Sequence, residues 1–130
     1  IAYPLGGQKF EFSTMAFGCA IGLTRSIEFL NKVGVENILQ YNRQLADTLI
    51  AGLCSRDAVI TSPLNDRDRS SIVTAYFKNV DSKAIIKRLK EASVFVSNRA
   101  GSIRFSPHLY NTCEDIDIVL REIDSIMTNQ

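Results

Sequence analysis

The residue with the clearest chemical potential in this sequence is an arginine in a short alternating segment. Arg104 lies within Ser102–Ser106, and its immediate neighbours are Ile103 and Phe105 rather than acidic residues. An arginine held on a rigid strand is a good receptor for a carboxylate, because its planar guanidinium group matches both carboxylate oxygens. A second interpretation is equally open, in which Arg104 is a surface residue whose aliphatic stem covers apolar neighbours.

A pair of hydroxyl side chains is the second candidate. Ser13 and Thr14 come shortly before a helical pattern that begins near Phe17. Hydroxyl groups at such a position usually cap the helix, and they can also join its free N–H groups in binding a phosphate. The sequence is compatible with both uses, of which capping is the commoner.

Other groups for catalysis are few. His108 is the only histidine, and a single histidine beside Pro107 is more often structural than catalytic. The sequence contains no Ser-His-Asp order, no zinc-protease motif and no phosphate-binding P-loop. The arginine and the hydroxyl pair therefore remain the candidate binding groups.

The cysteines indicate a compartment more than a site. Cys19, Cys54 and Cys113 are odd in number, widely spaced and free of any C-x-x-C pattern. This usage disfavours a disulfide framework and a zinc site, and it predicts a reducing cytoplasm. Cys113 falls in the predicted first turn of a helix, whose dipole favours a thiolate, so it is the candidate for a reactive thiol. An inert small residue is the commoner case.

The composition is that of one soluble domain. The chain has 130 residues, of which 45% are hydrophobic and 22% charged. Its formal net charge of +1 gives no field that would attract nucleic acid or an anionic membrane. No apolar run approaches the roughly 20 residues of a membrane-spanning helix. Because the chain starts at Ile1 without an initiator methionine or a signal-peptide pattern, we expect it to be an excised piece of a longer protein.

Hydrophobic periodicity predicts the elements that position these groups. Apolar residues at steps of three and four predict helices over Phe17–Val33, ended by Gly34, and over about Glu36–Leu53. In the second helix, Asn42 is predicted to face water. The other predicted elements are strands at 58–61, 71–77, 93–97 and 102–106, a helix from an Asp81 cap through Glu91, and a last helix from Thr112.

This order of elements predicts an α+β fold. The last two strands flank the turn-rich segment 98–101 and should pair as a hairpin. Thr112 should cap the backbone N–H of Asp115. We expect a two-layer sandwich, with a mainly antiparallel sheet of about four short strands and helices packed on one face.

Several motifs together resemble those of a known enzyme family. Residues 103–117, IRFSPHLYNTCEDID, are similar to the closing motif of the class V aminotransferases, in which R-x-S is followed by Y-N-T and acidic residues. Residues 9–14, KFEFST, resemble the family's R-F-E-x-G-T, and residues 28–38 resemble its first helix and turn. The family comprises pyridoxal-phosphate enzymes such as cysteine desulfurases, selenocysteine lyases and isopenicillin epimerases. The resemblance implies that residues 15–130 are the C-terminal small domain, joined by residues 1–14 to a large domain outside this chain.

The resemblance also implies roles for single residues. Arg104 takes the place of the arginine that binds the α-carboxylate of an amino-acid substrate. Arg99 matches an arginine of the family's R-x-G segment and is a second substrate-binding candidate. Thr14, with Ser13 beside it, matches the threonine that reaches the phosphate of pyridoxal 5′-phosphate in the neighbouring subunit. A homodimer is therefore implied, whose cofactor is bound mainly by the large domain.

The sequence departs from the family pattern in three places. Lys9 and Ser13 stand where the family has arginine and glycine. In the desulfurase branch a loop with the nucleophilic cysteine precedes the substrate arginine, but here only two residues separate Gly101 from Arg104. None of the lysines lies in a motif that resembles the setting of the Schiff-base lysine.

The resemblance thus implies the C-terminal domain of an enzyme that acts on an amino acid by transamination, elimination or epimerisation. Without the domain that carries the Schiff-base lysine, this chain should be inactive alone. Two other interpretations stay open. One is a non-catalytic module that binds an amino acid through Arg104, and the other is a dimerisation domain.

Overall fold

The computed structural model describes residues 5–10 and 16–128. The chain divides into two compact units, Ile1–Val35 and Glu36–Gln130. In the first unit a 3-10 helix, Gly6–Phe10, precedes α1, Phe17–Val33, which has the predicted bounds. Gly34 ends α1 with a φ of 92°, and its N–H donates to the carbonyl oxygen of Leu30 at 2.9 Å. This confirms the predicted glycine stop, since few other residues adopt a positive φ at low cost.

The second unit is an α+β sandwich, as predicted. Its elements are α2 (Val35–Cys54), β1 (Ala58–Ile60), β2 (Val73–Phe77), α3 (Ser82–Glu91), β3 (Ser97–Arg99), β4 (Ser102–Phe105) and α4 (Cys113–Thr128). The four strands form one antiparallel sheet in the order β1-β2-β4-β3. The central strands β2 and β4 come from distant parts of the sequence, and their pairing brings Thr74 opposite Arg104.

One face of the sheet forms the core with the helices. Alternate residues of β2 and β4 are buried, and they cluster with the inner faces of α2, α3 and α4. The buried apolar strand residues are Val73, Ala75, Phe77, Ile103 and Phe105, and Ser102 on the opposite face of β4 is also buried. Because burying a leucine or isoleucine side chain contributes about 1.5–3 kcal/mol, this cluster is the main source of stability. The residues between these positions point to the other face of the sheet, because successive side chains of a strand alternate.

The buried side of α2 contains a polar residue that was predicted to face water. Asn42 is only 5% exposed, so the prediction that it faces solvent is wrong. Its spacing explains why it is buried. Four buried residues recur at steps of three and four and share one side of the helix: Ile38, Asn42, Leu45 and Leu49. The amide side chain therefore occupies a position in the buried stripe.

The predicted strand at 93–97 is also wrong, because Ser93 and Val94 belong to the turn that closes α3. Ser93 has a φ of 62°, and the N–H of Val94 donates to the carbonyl of Leu89 at 2.8 Å. These are the features of a Schellman motif, which closes a helix with a left-handed residue. The strand β3 therefore begins only at Ser97.

The hairpin between β3 and β4 is confirmed, with a shorter turn than predicted. Ala100 and Gly101 alone connect the strands, with φ values of 48° and 82°. Two consecutive positive φ values are characteristic of a type I′ turn, whose twist matches that of the paired strands. The turn fixes the register that pairs Arg99 with Ser102.

An ion pair ties the C-terminal end of α2 to α4. Arg56 donates from Nε and from a terminal nitrogen to the two carboxylate oxygens of Asp124, both at 2.6 Å. A further terminal nitrogen of Arg56 donates to the carbonyl of Gly52 at 2.8 Å. The hydrogen bond from Arg56 lowers the pKa of Asp124, and the same bond raises the pKa of Arg56.

No helix in the described ranges is long and apolar enough to cross a membrane.

Candidate functional site

Arg104 lies on the sheet face opposite the helices. Its neighbours in β4, Ile103 and Phe105, are buried in the core, so strand alternation turns the half-buried Arg104 to the other side. Thr74 of β2 and Ser97 of β3 are directly opposite it and share this face. We call the surface formed by Thr61, Thr74, Ser97, Arg99, Ser102 and Arg104 the arginine face.

The guanidinium group of Arg104 is hydrogen-bonded to a residue that follows it closely in the same segment. Its Nε donates to the hydroxyl oxygen of Ser106 at 3.2 Å. Ser106 follows Arg104 by two residues, the spacing that places side chains on the same side of an extended chain. Among the described residues no carboxylate forms an ion pair with Arg104. Its terminal nitrogens thus keep the fork geometry that a carboxylate requires.

Three hydroxyl groups extend the arginine face beside this side chain. Thr61 donates from Oγ1 to Oγ1 of Thr74 at 2.8 Å and contacts Oγ of Ser102 at 3.4 Å. The hydroxyl oxygen of Ser62 accepts from the backbone N–H of Thr74 at 3.2 Å, which continues the link between β1 and β2. Thr61 is exposed and Thr74 is half-buried, whereas Ser102 is buried, and none of the three brings a negative charge.

The sequence did not single out Ser106 or these hydroxyl groups. The alternation in Ser102–Ser106 was a signal for Ser106, because it puts Arg104 and Ser106 on one side. Thr61, Thr74 and Ser102 meet only through the order of strands in the sheet. That order is a tertiary property that short-range patterns do not contain.

Arg99, the second predicted substrate-binding residue, belongs to the same face. It is the last residue of β3, is exposed, and pairs in register with Ser102. Residues directly opposite in antiparallel strands share a face, so Arg99 and Arg104 lie on the same side of the sheet. The structure thus brings the two predicted arginines together.

Ser13 and Thr14, the predicted cofactor-binding pair, lie outside the described residues. Their role as helix caps or phosphate ligands stays a prediction.

A tight loop connects β4 to α4 and follows the site directly. Asn111 donates its N–H to the carbonyl of His108 at 2.8 Å, and its side-chain oxygen accepts from the N–H of His108 at 3.0 Å. The hydroxyl of Tyr41 in α2 donates to the carbonyl of Asn111 at 2.8 Å. These bonds anchor the loop on the helical layer and help to fix the end of β4.

The start of α4 confirms the predicted cap. The N–H of Asp115 donates to the hydroxyl oxygen of Thr112 at 3.4 Å, and the N–H of Thr112 donates to the carboxylate of Asp115 at 2.9 Å. This reciprocal pair is a capping box. The motif residues that follow Arg104 in the sequence therefore build a turn and a helix start.

The other reactive side chains considered in the sequence are His108 and the three cysteines. The Nδ1 atom of His108 is buried without a hydrogen-bond partner in the described part of the chain, and its ring lies 5.3 Å from that of Tyr110. Cys19, Cys54 and Cys113 are exposed free thiols. No group of three histidine, cysteine or acidic residues that could hold a metal occurs among the described residues.

A groove of about 520 Å³ lies near the site but has the wrong chemistry for a carboxylate. It runs between the segment before β3 and the first turns of α4, with Val94, Phe95 and Ile116 among its walls. Its lining includes the acidic Asp115 and no basic residue. Phe105 and Ser106, which follow Arg104 in the chain, line this groove but bring no positive charge, so the arginine face is the better receptor for an anion.

A family model and several known proteins match most of the chain. The model of the family described as "Aminotransferase class-V" matches residues 6–119. A probable cysteine desulfurase of Methanothermobacter thermautotrophicus is 24% identical over 135 residues, covering 91% of this chain and 34% of that protein. An uncharacterized aminotransferase of Schizosaccharomyces pombe is 27% identical, covering 95% of this chain and 31% of that protein. The chain thus spans about one third of the length of these relatives.

Solved structures share the fold. The apo structure of a cysteine desulfurase from Thermococcus onnurineus matches with a TM-score of 0.88 at 20% identity, over 95% of this chain and 34% of that chain. The cysteine desulfurase CsdA of Escherichia coli matches with a TM-score of 0.82 at 21% identity, over 94% of this chain and 33% of that chain. At such identities the likeness establishes the fold.

Proposed function

Because the chain belongs to the class-V aminotransferase family, we propose that it receives the carboxylate of an amino-acid substrate in a pyridoxal-phosphate-dependent enzyme. The observation that carries the proposal is the guanidinium group of Arg104. It is fixed through Nε by Ser106, and in the described part of the chain it has no acidic partner. The family resemblance seen in the sequence, now confirmed, assigns the same residue to the substrate carboxylate.

We infer that the described residues do not hold the cofactor by themselves. Family members depend on pyridoxal 5′-phosphate. Every lysine in the described ranges is exposed, whereas a lysine that holds this cofactor needs a desolvated setting. We therefore propose that the cofactor is anchored in a large domain outside this chain and that this chain alone is inactive. Thr14, with Ser13, would add a contact to the cofactor phosphate.

The contribution of this chain is binding and orientation. Pyridoxal phosphate, when bound, supplies an electron sink for carbanions at the α-carbon of an amino acid. A carboxylate gripped at both oxygens cannot rotate, so Arg104 would fix which bond at the α-carbon is aligned for reaction. The hydroxyl group of the half-buried Thr74 would hydrogen-bond to the polar parts of the same substrate.

The short hairpin argues for chemistry without a cysteine nucleophile. The resemblance puts the cysteine loop of desulfurases between the R-x-G segment and the substrate arginine. In this chain Ala100 and Gly101 alone join the two strands. We therefore propose transamination, elimination or epimerisation in preference to attack by a thiolate of this chain.

Assembly follows from the predicted cofactor contact. Family members are usually dimeric. If Thr14 reaches the phosphate in a neighbouring subunit, each site of the homodimer needs both chains. We propose a homodimer in the cytoplasm, consistent with three free cysteines in the structure.

A non-catalytic module that binds an amino acid through Arg104 is the second candidate, and the guanidinium group that Ser106 holds supports it as well. The visible absorbance of the full-length protein separates the two candidates. Absorbance that borohydride reduction removes supports the enzyme, and a colourless protein that still binds an amino acid supports the module.

The role of Arg104 is tested by Arg104→Gln in the full-length protein. Hydrogen bonds to charged groups contribute about 1.5–3 kcal/mol each, so we expect KM for the amino acid to rise by about 10- to 100-fold. Arg88→Gln is the matched control, because Arg88 is an exposed arginine of α3, in the helical layer and not on the arginine face. An unchanged KM in Arg104→Gln would show that the carboxylate binds elsewhere.

A further inference from the structure

The strands carry an unusual distribution of charge. In the part of the chain that the structure describes, the four strands contain two charged residues, Arg99 and Arg104. Both are cationic, and both belong to the arginine face. The strands therefore present two positive charges on one side of the sheet and no acidic residue to offset them.

The register sets the spacing of these charges. Arg99 is paired with Ser102, and Arg104 is paired with Ser97. The two arginines are thus diagonal neighbours on adjacent strands, for which the separation is about 7–8 Å. Long guanidinium side chains at this separation reach one small ligand from two sides.

Neither arginine is neutralised by the described part of the protein. The ion pairs there join Arg25 to Glu28, Arg56 to Asp124 and Arg69 to Asp47, and leave both strand arginines without a carboxylate. Like charges on neighbouring strand positions repel and cost stability. A ligand with two anionic groups would remove this repulsion and satisfy both guanidinium groups.

We propose that the arginine face selects amino acids whose side chain ends in an anionic group. This rests on the proposed function, in which Arg104 receives the α-carboxylate. Arg99 then receives the anion at the end of the side chain, and the hydroxyl of Ser102 lies between the two charges. An uncharged side chain would leave Arg99 without its partner and gain less from binding.

The test compares two unreactive carboxylates on the full-length protein by titration calorimetry. Succinate offers two carboxylates and butyrate offers one on a chain of the same length. We expect the wild-type protein to bind succinate at least about tenfold more tightly, since one added charged hydrogen-bond pair corresponds to about 1.5–3 kcal/mol. In Arg99→Gln this preference disappears, because succinate and butyrate then each meet a single arginine.

Variants at the two arginines separate this proposal from the one on which it rests. Arg104→Gln should weaken both ligands, and failure to do so contradicts the carboxylate role of Arg104 itself. If Arg104→Gln weakens both ligands but Arg99→Gln leaves the succinate preference intact, selectivity for anionic side chains is disproved and the proposed function survives. A wild-type protein without any preference for succinate likewise overturns the proposal.

Folding of the Arg99 variant is checked by thermal unfolding. Arg99 is exposed, so Arg99→Gln should unfold at the wild-type temperature or slightly above it in the absence of ligand. Succinate should raise the unfolding temperature of the wild-type protein more than that of Arg99→Gln, because a ligand of the native state stabilises it. Equal shifts in the two proteins would count against the Arg99 contact.

Discussion

The helical layer and the arginine face use arginine in opposite ways. The guanidinium group of Arg56 donates hydrogen bonds to Asp124 and to the backbone of α2, and Arg69 forms an ion pair with Asp47 of α2. Within the described ranges, Arg104 is bonded only through Nε, and to a neutral hydroxyl. Arg56 and Arg69 are thus neutralised by carboxylates of the chain, whereas no carboxylate of the described residues pairs with either strand arginine.

Burial shows the same contrast. In β2 and β4, the residues that face the helices are apolar and buried, and those between them are hydroxyl-bearing or cationic. On our proposal, one face of the sheet supports stability and the other recognises the ligand. Substitutions on the two sides should separate these properties.

The largest expected effect is on the helical side. Leu49 is 1% exposed within the core, and Leu49→Ala should lower the free energy of unfolding by about 2–5 kcal/mol through lost burial and a residual cavity. Urea unfolding measures the change. Leu64→Ala is the control, because Leu64 is 52% exposed and should matter little. Similar losses in the two variants would mean that the core is assigned to the wrong residues.

A smaller effect is expected on the other side, at the residue that positions Arg104. Ser106→Ala removes the acceptor for Nε, and we expect KM for the amino acid to rise by about three- to tenfold with stability unchanged. Ser106→Thr keeps a hydroxyl and should restore the wild-type KM. If both variants behave alike, the hydroxyl does not orient the arginine.

The smallest effect is the pH dependence of the ion pair between α2 and α4. Arg56 lowers the pKa of Asp124, so the pair stabilises the native state above the unfolded aspartate pKa of about 3.9. That contribution is lost as the pH falls through the lowered native pKa, because the carboxylate then becomes protonated. Exposed ion pairs contribute little, which makes a difference measurement necessary.

This prediction is checked with Asp124→Asn. The difference in unfolding free energy between wild type and Asp124→Asn should be present at neutral pH and shrink toward zero in acid. Asp117→Asn, at an exposed position of the same helix, should show a smaller difference throughout. A difference that grows on acidification would have the wrong sign for a lowered pKa.

Local chemistry made much of the fold predictable. The limits of α1, the glycine that ends it and the Thr112 cap depend on neighbours in sequence, and the structure confirms them. Asn42 was misplaced because the polarity of its side chain was given more weight than its spacing, which puts it on the buried side of α2. The strand at 93–97 failed because a left-handed serine that closes α3 carries no compositional mark.

The site was predictable only where it depends on residues close together in the sequence. Arg104 stands out within one strand, and its resemblance to a family arginine gave it a role. Thr61, Thr74 and Ser102 meet through pairing across segments far apart in the sequence. Thr14 lies outside the described residues, and its contact with a cofactor stays a prediction.

The most direct test of the central claim is the position of a bound carboxylate in a crystal structure of the full-length protein with its amino acid or an unreactive analogue. The account predicts both terminal nitrogens of Arg104 at about 2.7–3.2 Å from the two carboxylate oxygens, with Nε still bonded to Ser106. A carboxylate held by another cation, with Arg104 turned to solvent, would contradict it.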